Sequence, residues 1–161
     1  MRARLQCLLF GCLLTGMVAA GQGAEVAIIV NPANPVDELS FKELRVIFEL
    51  QQQFWKNGNR VSLVMQDAGR PEKELVLKKI YRRSEAALNR YWMARMFKAE
   101  ITTIPKPRAS NDEVKQVIRR LPNGIGFIDP AAVDDSVKVL RIDGRLPGEV
   151  EYALRSEDDE P

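Results

Sequence analysis

The chain predicts an α/β fold: one layered domain with a largely parallel, mixed sheet flanked by helices. Three observations carry that expectation. Short apolar runs rich in β-branched residues alternate with segments of helical period, the pattern of strands linked by helical crossovers. Serine caps stand where three of the helical patterns begin, at Ser40, Ser84 and Ser110. The length, 161 residues, suits a single domain, and 45% hydrophobic with 29% charged residues is ordinary for a chain that buries a core.

The first twenty residues stand apart. "MRARLQCLLFGCLLTGMVAA" places Arg2 and Arg4 before an apolar run and ends in small residues. This is the pattern of a secretory signal peptide, and the run is shorter than the ~20 residues a spanning helix needs. Cleavage after Ala20 or after Ala24 fits equally, so residues 1–24 are assigned to the leader. The expected destination is across the inner membrane, in the periplasm. Both cysteines, Cys7 and Cys12, lie in this segment, so the remainder has no disulfide, and the chain has no histidine. The leader holds two of the 24 basic residues and none of the acidic ones, leaving 22 of each sign. No basic stripe points to nucleic acid.

From residue 25 each element has its own local reason. "EVAIIVN" is a continuous apolar run, as expected of a strand buried on both faces. "NPANP" is a turn stiffened by proline. Ser40 and Glu43 form a capping box, followed by Phe41, Leu44, Ile47 and Phe48 at helical spacing. "QQQFWKNGNR" is a loop turning at Asn57-Gly58, and "VSLVMQ" is a second strand. In "DAGRPEKELVLKKIYR", Gly69 ends a turn, Pro71 suits the first helical position, and Glu72 and Glu74 occupy the first turn. Ser84 caps a helix carrying Leu88, Tyr91, Trp92 and Met96 on one face, read as core in preference to an interface. "ITTIPKPRAS" is extended. Ser110 and Glu113 repeat the capping box ahead of the apolar stripe Val114, Val117, Ile118 and Leu121. "GIGFID" and "SVKVLRID" are further strands. Residues 25–154 form the domain, and 155–161 an acidic, disordered tail.

Catalysis is hard to stage with this inventory. Histidine is absent and cysteine is confined to the leader, so the commonest general base and the soft metal ligands are missing. Asp134-Asp135 and the "EDDE" stretch read as solvated surface, and no phosphate-cradling loop is present. The chain is therefore expected to be neither an enzyme nor a metal or cofactor protein. An anion site is the better candidate, because helix N-termini beyond strand ends offer free N–H groups and the positive end of the helix dipole. The turn after "VSLVM" offers Gln66, Gly69 and Arg70 as donors. The turn after the first strand is another such place, with Asn31 and Asn34 as candidates for a cleft rim, although turn chemistry alone explains them.

In order, "VAIIVNPANPVDELSFKELRVIF", Trp55 before "NGNRVSLV", a glycine turn into a helix, "NGIGFIDPAAV" and "VKVLRIDGRLPGEVEYAL" resemble the phosphate-binding proteins of ABC phosphate transporters. The likeness is greatest to short stand-alone members of that family and covers residues 25 to 154. It implies a single three-layer lobe of a type II periplasmic binding protein, a solute-binding rather than catalytic role, and phosphate or another small anion as ligand. It also implies an inner-membrane permease or another membrane protein as partner. A second lobe, a homodimer or a membrane partner would have to close the site. The family's R-x-x-x-S-G-T pattern, laid on this chain, puts Gln66 in the Arg place and Arg70, Pro71 and Glu72 in the Ser, Gly and Thr places. The bidentate cation and the hydroxyls are thus replaced, and Pro71 removes one N–H. This departure raises an alternative role, a periplasmic module that docks on a membrane receptor or channel without binding phosphate.

Overall fold

The structure, a computed structural model, describes residues 24 to 156. The leader up to residue 23 and the acidic end from residue 157 lie outside the described residues. Eight strands and four α-helices follow one another: β1 (Ala27–Val30), β2 (Glu38–Leu39), α1 (Phe41–Phe48), β3 (Ser62–Leu63), β4 (Met65–Gln66), α2 (Pro71–Val76), α3 (Glu85–Phe97), β5 (Pro107–Arg108), α4 (Asn111–Arg120), β6 (Gly124–Ile128), β7 (Lys138–Val139) and β8 (Arg141–Ile142). A π-helical turn, Leu77–Tyr81, extends α2, and a short 3₁₀ turn, Pro130–Ala132, follows β6.

The main sheet has the order β3-β6-β1-β7, with β2·β8 and β4·β5 as two-stranded additions. Three of the five pairings are parallel, as expected of a mixed sheet, but β1 runs antiparallel to both β6 and β7. β1 is buried on both faces all the same. The cause is helical cover on each side, not parallel pairing. Alternation along β1 sends Val26, Ile28 and Val30 into a large core with side chains of α1, α2 and α3. Ala27 and Ile29 enter a smaller core beneath Val114 and Ile118 of α4. Helices on both faces of one sheet make three layers.

The serine caps work as read: Ser40, Ser84 and Ser110 each accept an N–H from their own first helical turn. The capping box is complete only at Ser40. Glu113 bonds the Ala109 N–H instead of closing back on Ser110. The strand read as "VSLVMQ" divides at Val64, where its outer edge changes surroundings. "SVKVLRID" divides at Leu140, where the chain passes from β1 to β2. On α3 the expected face splits. Leu88 and Trp92 are buried, Tyr91 is half-buried between Arg83 and Arg95, and Met96 is exposed. The folded chain also continues past Leu154, the boundary read from the sequence. Ser156 donates to Ala24 O at 2.8 Å, and Arg155 pairs with Glu25 at 2.6 Å.

Candidate functional site

The β4–α2 turn is the place the sequence singles out. Gly69 takes φ +78°, a conformation that glycine accepts without strain. Arg70 sits at the N-cap in extended conformation, contributes no side-chain cap, and is followed by Pro71 at the first helical position. α2 therefore begins with its amides uncapped by any side chain, as an anion site would require.

The side chains around that turn are already engaged. Gln66 is fully buried, and its Nε2 donates to Asn111 Oδ1 at 2.8 Å and to Phe127 O at 3.0 Å. Both donors of the amide are spent tying β4 to α4 and β6. Arg70 Nη2 reaches Glu72 Oε1 at 3.1 Å, with the Glu72 side chain only 8% exposed. Lys73, also buried, donates to Gln66 O at 3.3 Å and pairs with Glu85 at 3.4 Å. Two cations thus face two carboxylates, and Asp67 and Glu74 in the same stretch leave it net acidic. Four polar atoms nearby are buried without a hydrogen-bond partner among the described residues: Gln66 Oε1, Arg70 Nε, Glu72 Oε2 and Glu85 Oε2.

A hollow of about 290 Å³ opens beside the start of α2, lined by Glu25, Glu72, Asp129 and apolar residues, with no cation. Glu25 is held by Arg155 and the Gly148 N–H, and Asp129 by the Ala131 N–H. Among the described residues no group of three or more histidine, cysteine or acidic side chains is arranged to hold a metal ion.

Asn31 and Asn34 do not join this site. Asn31 Nδ2 donates to Ile118 O and Arg119 O, at 2.9 and 3.0 Å, closing the C-terminal end of α4. Its Oδ1 accepts the Ala33 N–H, and Asn34 Oδ1 accepts the Val36 N–H, both as turn-forming bonds. Gln66 binds Asn111 at the other end of α4, which at ten residues spans about 15 Å. The reason is strand direction. β3 runs parallel to β6, but β1 runs against it, so the ends of β1 and β4 point to opposite edges of the sheet. A shared rim holds only if the strands run together.

Lys73, Asn111 and Glu85 were not singled out in the sequence. Asn111 follows a capping serine, and Lys73 and Glu85 each fall in a helical first turn, where charged and polar residues are common. Burial marks Lys73, whereas Asn111 and Glu85, both half-buried, are marked only by their partners Gln66 and Lys73.

No protein-family profile matches the chain, and comparison with curated proteins gives no match. Solved structures do match. An ABC-type phosphate transport receptor from Vibrio cholerae aligns with a TM-score of 0.67 at 21% identity, over 83% of this chain and 54% of that one. A putative phosphate ABC transporter substrate-binding protein from Clostridium perfringens, solved with bound phosphate, aligns at 0.63 and 22% identity, over 78% of this chain and 48% of the other. PstS from Borrelia burgdorferi aligns at 0.66 and 12% identity, over 83% and 55%. This chain therefore has the fold of one lobe of the PstS-like periplasmic binding proteins and spans about half the length of the solved chains it matches.

Proposed function

We propose that this chain is a non-catalytic, extracytoplasmic binding lobe of the solute-binding type, taking phosphate or another small anion at the β4–α2 turn beside Arg70. The observation that supports it is the fold likeness to phosphate receptors, together with an α2 N-terminus whose first amides no side chain caps. The anion must displace the Glu72 carboxylate, which now occupies Arg70. An open helix end contributes only ~0.3–1 kcal/mol, and ~2 in a partly buried geometry. Micromolar affinity needs about 8 kcal/mol. Closure by a second lobe, another copy or an inner-membrane permease supplies the rest.

A second reading, a periplasmic module docking on a membrane receptor or channel, is favoured by that same Arg70–Glu72 pair. It leaves Arg70 already engaged, and the adjoining hollow is acidic. Thermal melting with millimolar phosphate, sulfate and molybdate separates the two. Ligand at a hundred times its dissociation constant adds ~2.7 kcal/mol, a shift of several degrees for a domain of this size. The solute-binding reading expects such a shift, enlarged in Glu72→Gln and erased in Arg70→Ala. No response to any anion, in the wild type or in Glu72→Gln, selects the docking module.

A further inference from the structure

β3, Ser62–Leu63, forms one edge of the main sheet and runs on into β4, Met65–Gln66. The N–H groups of Ser62 and Val64 donate inward, to Asn123 O and Ile125 O at 3.1 and 2.8 Å. Alternation therefore turns the peptide groups of Leu63 and Met65 to the outer edge. At Met65 that edge is covered by β5, which pairs with β4 from Pro107 onward. Beside Leu63 it is not. Residues 101–106, which precede β5, form the facing wall of a groove of about 450 Å³.

Three cations line the groove, Arg60, Lys106 and Arg108, and no carboxylate does. Among the described residues none of the three is in an ion pair, whereas Arg70, Lys73, Arg95 and Arg155 all are. Arg60 is held by neutral partners, donating from Nη2 to Thr102 Oγ1 at 2.6 Å and to Gln53 Oε1 at 3.4 Å. Arg108 Nε is buried without an acceptor. Positive charge with no counter-charge favours an anion entering the concavity. The remaining wall mixes neutral polar side chains, Gln52, Gln53, Ser62, Thr102 and Thr103, with apolar ones, among them Ile104, half-buried, and Leu121, 37% exposed. The volume lies in the ~300–1,000 Å³ range of small-molecule sites.

We propose that this groove binds a small organic anion, its single acidic head among Arg60, Lys106 and Arg108 and its apolar body against Ile104 and Leu121. A carboxylate and a phosphate monoester share that chemistry. None of Gln66, Gly69 and Arg70 lines the groove, so the site stands apart from the β4–α2 turn and from the function proposed for it.

Titration calorimetry on the purified full chain with octanoate and phenyl phosphate tests the assignment, with octanol as the control. At least one of the two organic anions binds, the stronger binder reports which head group is preferred, and octanol gives no heat. The Arg60→Gln/Lys106→Gln double variant weakens binding at least tenfold, and added salt weakens it further. Arg70→Ala leaves the dissociation constant unchanged. The proposal is overturned by absence of binding for both organic anions, by equal binding of octanol, or by binding that survives the double variant or fails in Arg70→Ala. Binding of an acidic extended peptide alone also overturns it, in favour of strand addition at Leu63. Should the double variant fail to fold, Lys106→Gln alone, at an exposed position, must weaken binding at least threefold.

Discussion

A buried amide can serve the fold or a ligand with its donors, and Gln66 gives both of its N–H groups to the chain itself. Arg70 behaves alike, its guanidinium satisfied in part by Glu72 two residues on. Residue type and spacing named this turn in the sequence, but the occupancy of each donor depends on residues as distant as Asn111 and Phe127. Glu43 is the opposite case, legible entirely from its neighbours. The Ser40 N–H donates to its carboxylate at 2.9 Å, the Ser40 hydroxyl at 2.8 Å, and Lys56 lies 3.4 Å away. Those bonds, the Ser40 N–H foremost, hold the Glu43 carboxyl below its ordinary range. A carboxyl depressed in the folded state contributes stability above its unfolded value and loses it as pH falls through the folded one. Urea unfolding from pH 7 down to pH 3 should therefore show stability declining in the acid range, and Glu43→Gln should flatten part of that decline. An unchanged slope in the variant would remove the capping box from the account of α1.

Among the elements, β6 shows how glycine serves packing. The "NGIGF" stretch reads as a turn running into a strand, and the structure adds why its glycines stay small. A Cβ on Gly124 would stand 3.0 Å from both Ile118 Cδ1 and Leu121 O, and one on Gly126 would stand 3.1 Å from Val114 Cγ1. α4 rests directly on this strand, with its carbonyl end closed by Asn31. Gly124→Ala should destabilise the fold by ~1–3 kcal/mol through overpacking against backbone that cannot retreat. Denaturant unfolding would show the loss as a lower midpoint, and an unchanged midpoint would mean that α4 can shift outward. The helices themselves were legible because their signals are local: a serine cap and an apolar period lie within one short window. The direction of β1 was not, since an apolar run is the same read forwards or backwards. That single ambiguity left unread that Asn31 and Asn34 lie at the opposite edge of the sheet from Gln66.

At the scale of the molecule the two ends of the described chain close on each other. Glu25 takes Arg155 and the Gly148 N–H at 2.6 Å each, and Ser156 donates to Ala24 O. The clasp lies beside the acidic hollow at the start of α2, so it shapes that end of the lobe as well as holding it. A chain ending at Leu154 should lose roughly 1–3 kcal/mol, the scale of a charged hydrogen bond and one backbone bond together. Equal melting temperatures for the full and shortened chains would show the clasp to be ornamental. The chain spans about half the length of each of these matched structures.

The sequence by itself determined the helices, their caps, the buried strands and the resemblance to one lobe of a phosphate receptor. All of these rest on residues close together in the chain or on their order along it. Only the tertiary structure decided which strand ends share an edge, that Gln66 and Arg70 are already partnered, and that three cations without an ion pair among the described residues line one groove beside β3. Those outcomes depend on strand direction and on charges brought together from segments up to 48 residues apart, from Arg60 to Arg108. Local propensity sets the elements, whereas the partner of a buried charge is set by packing.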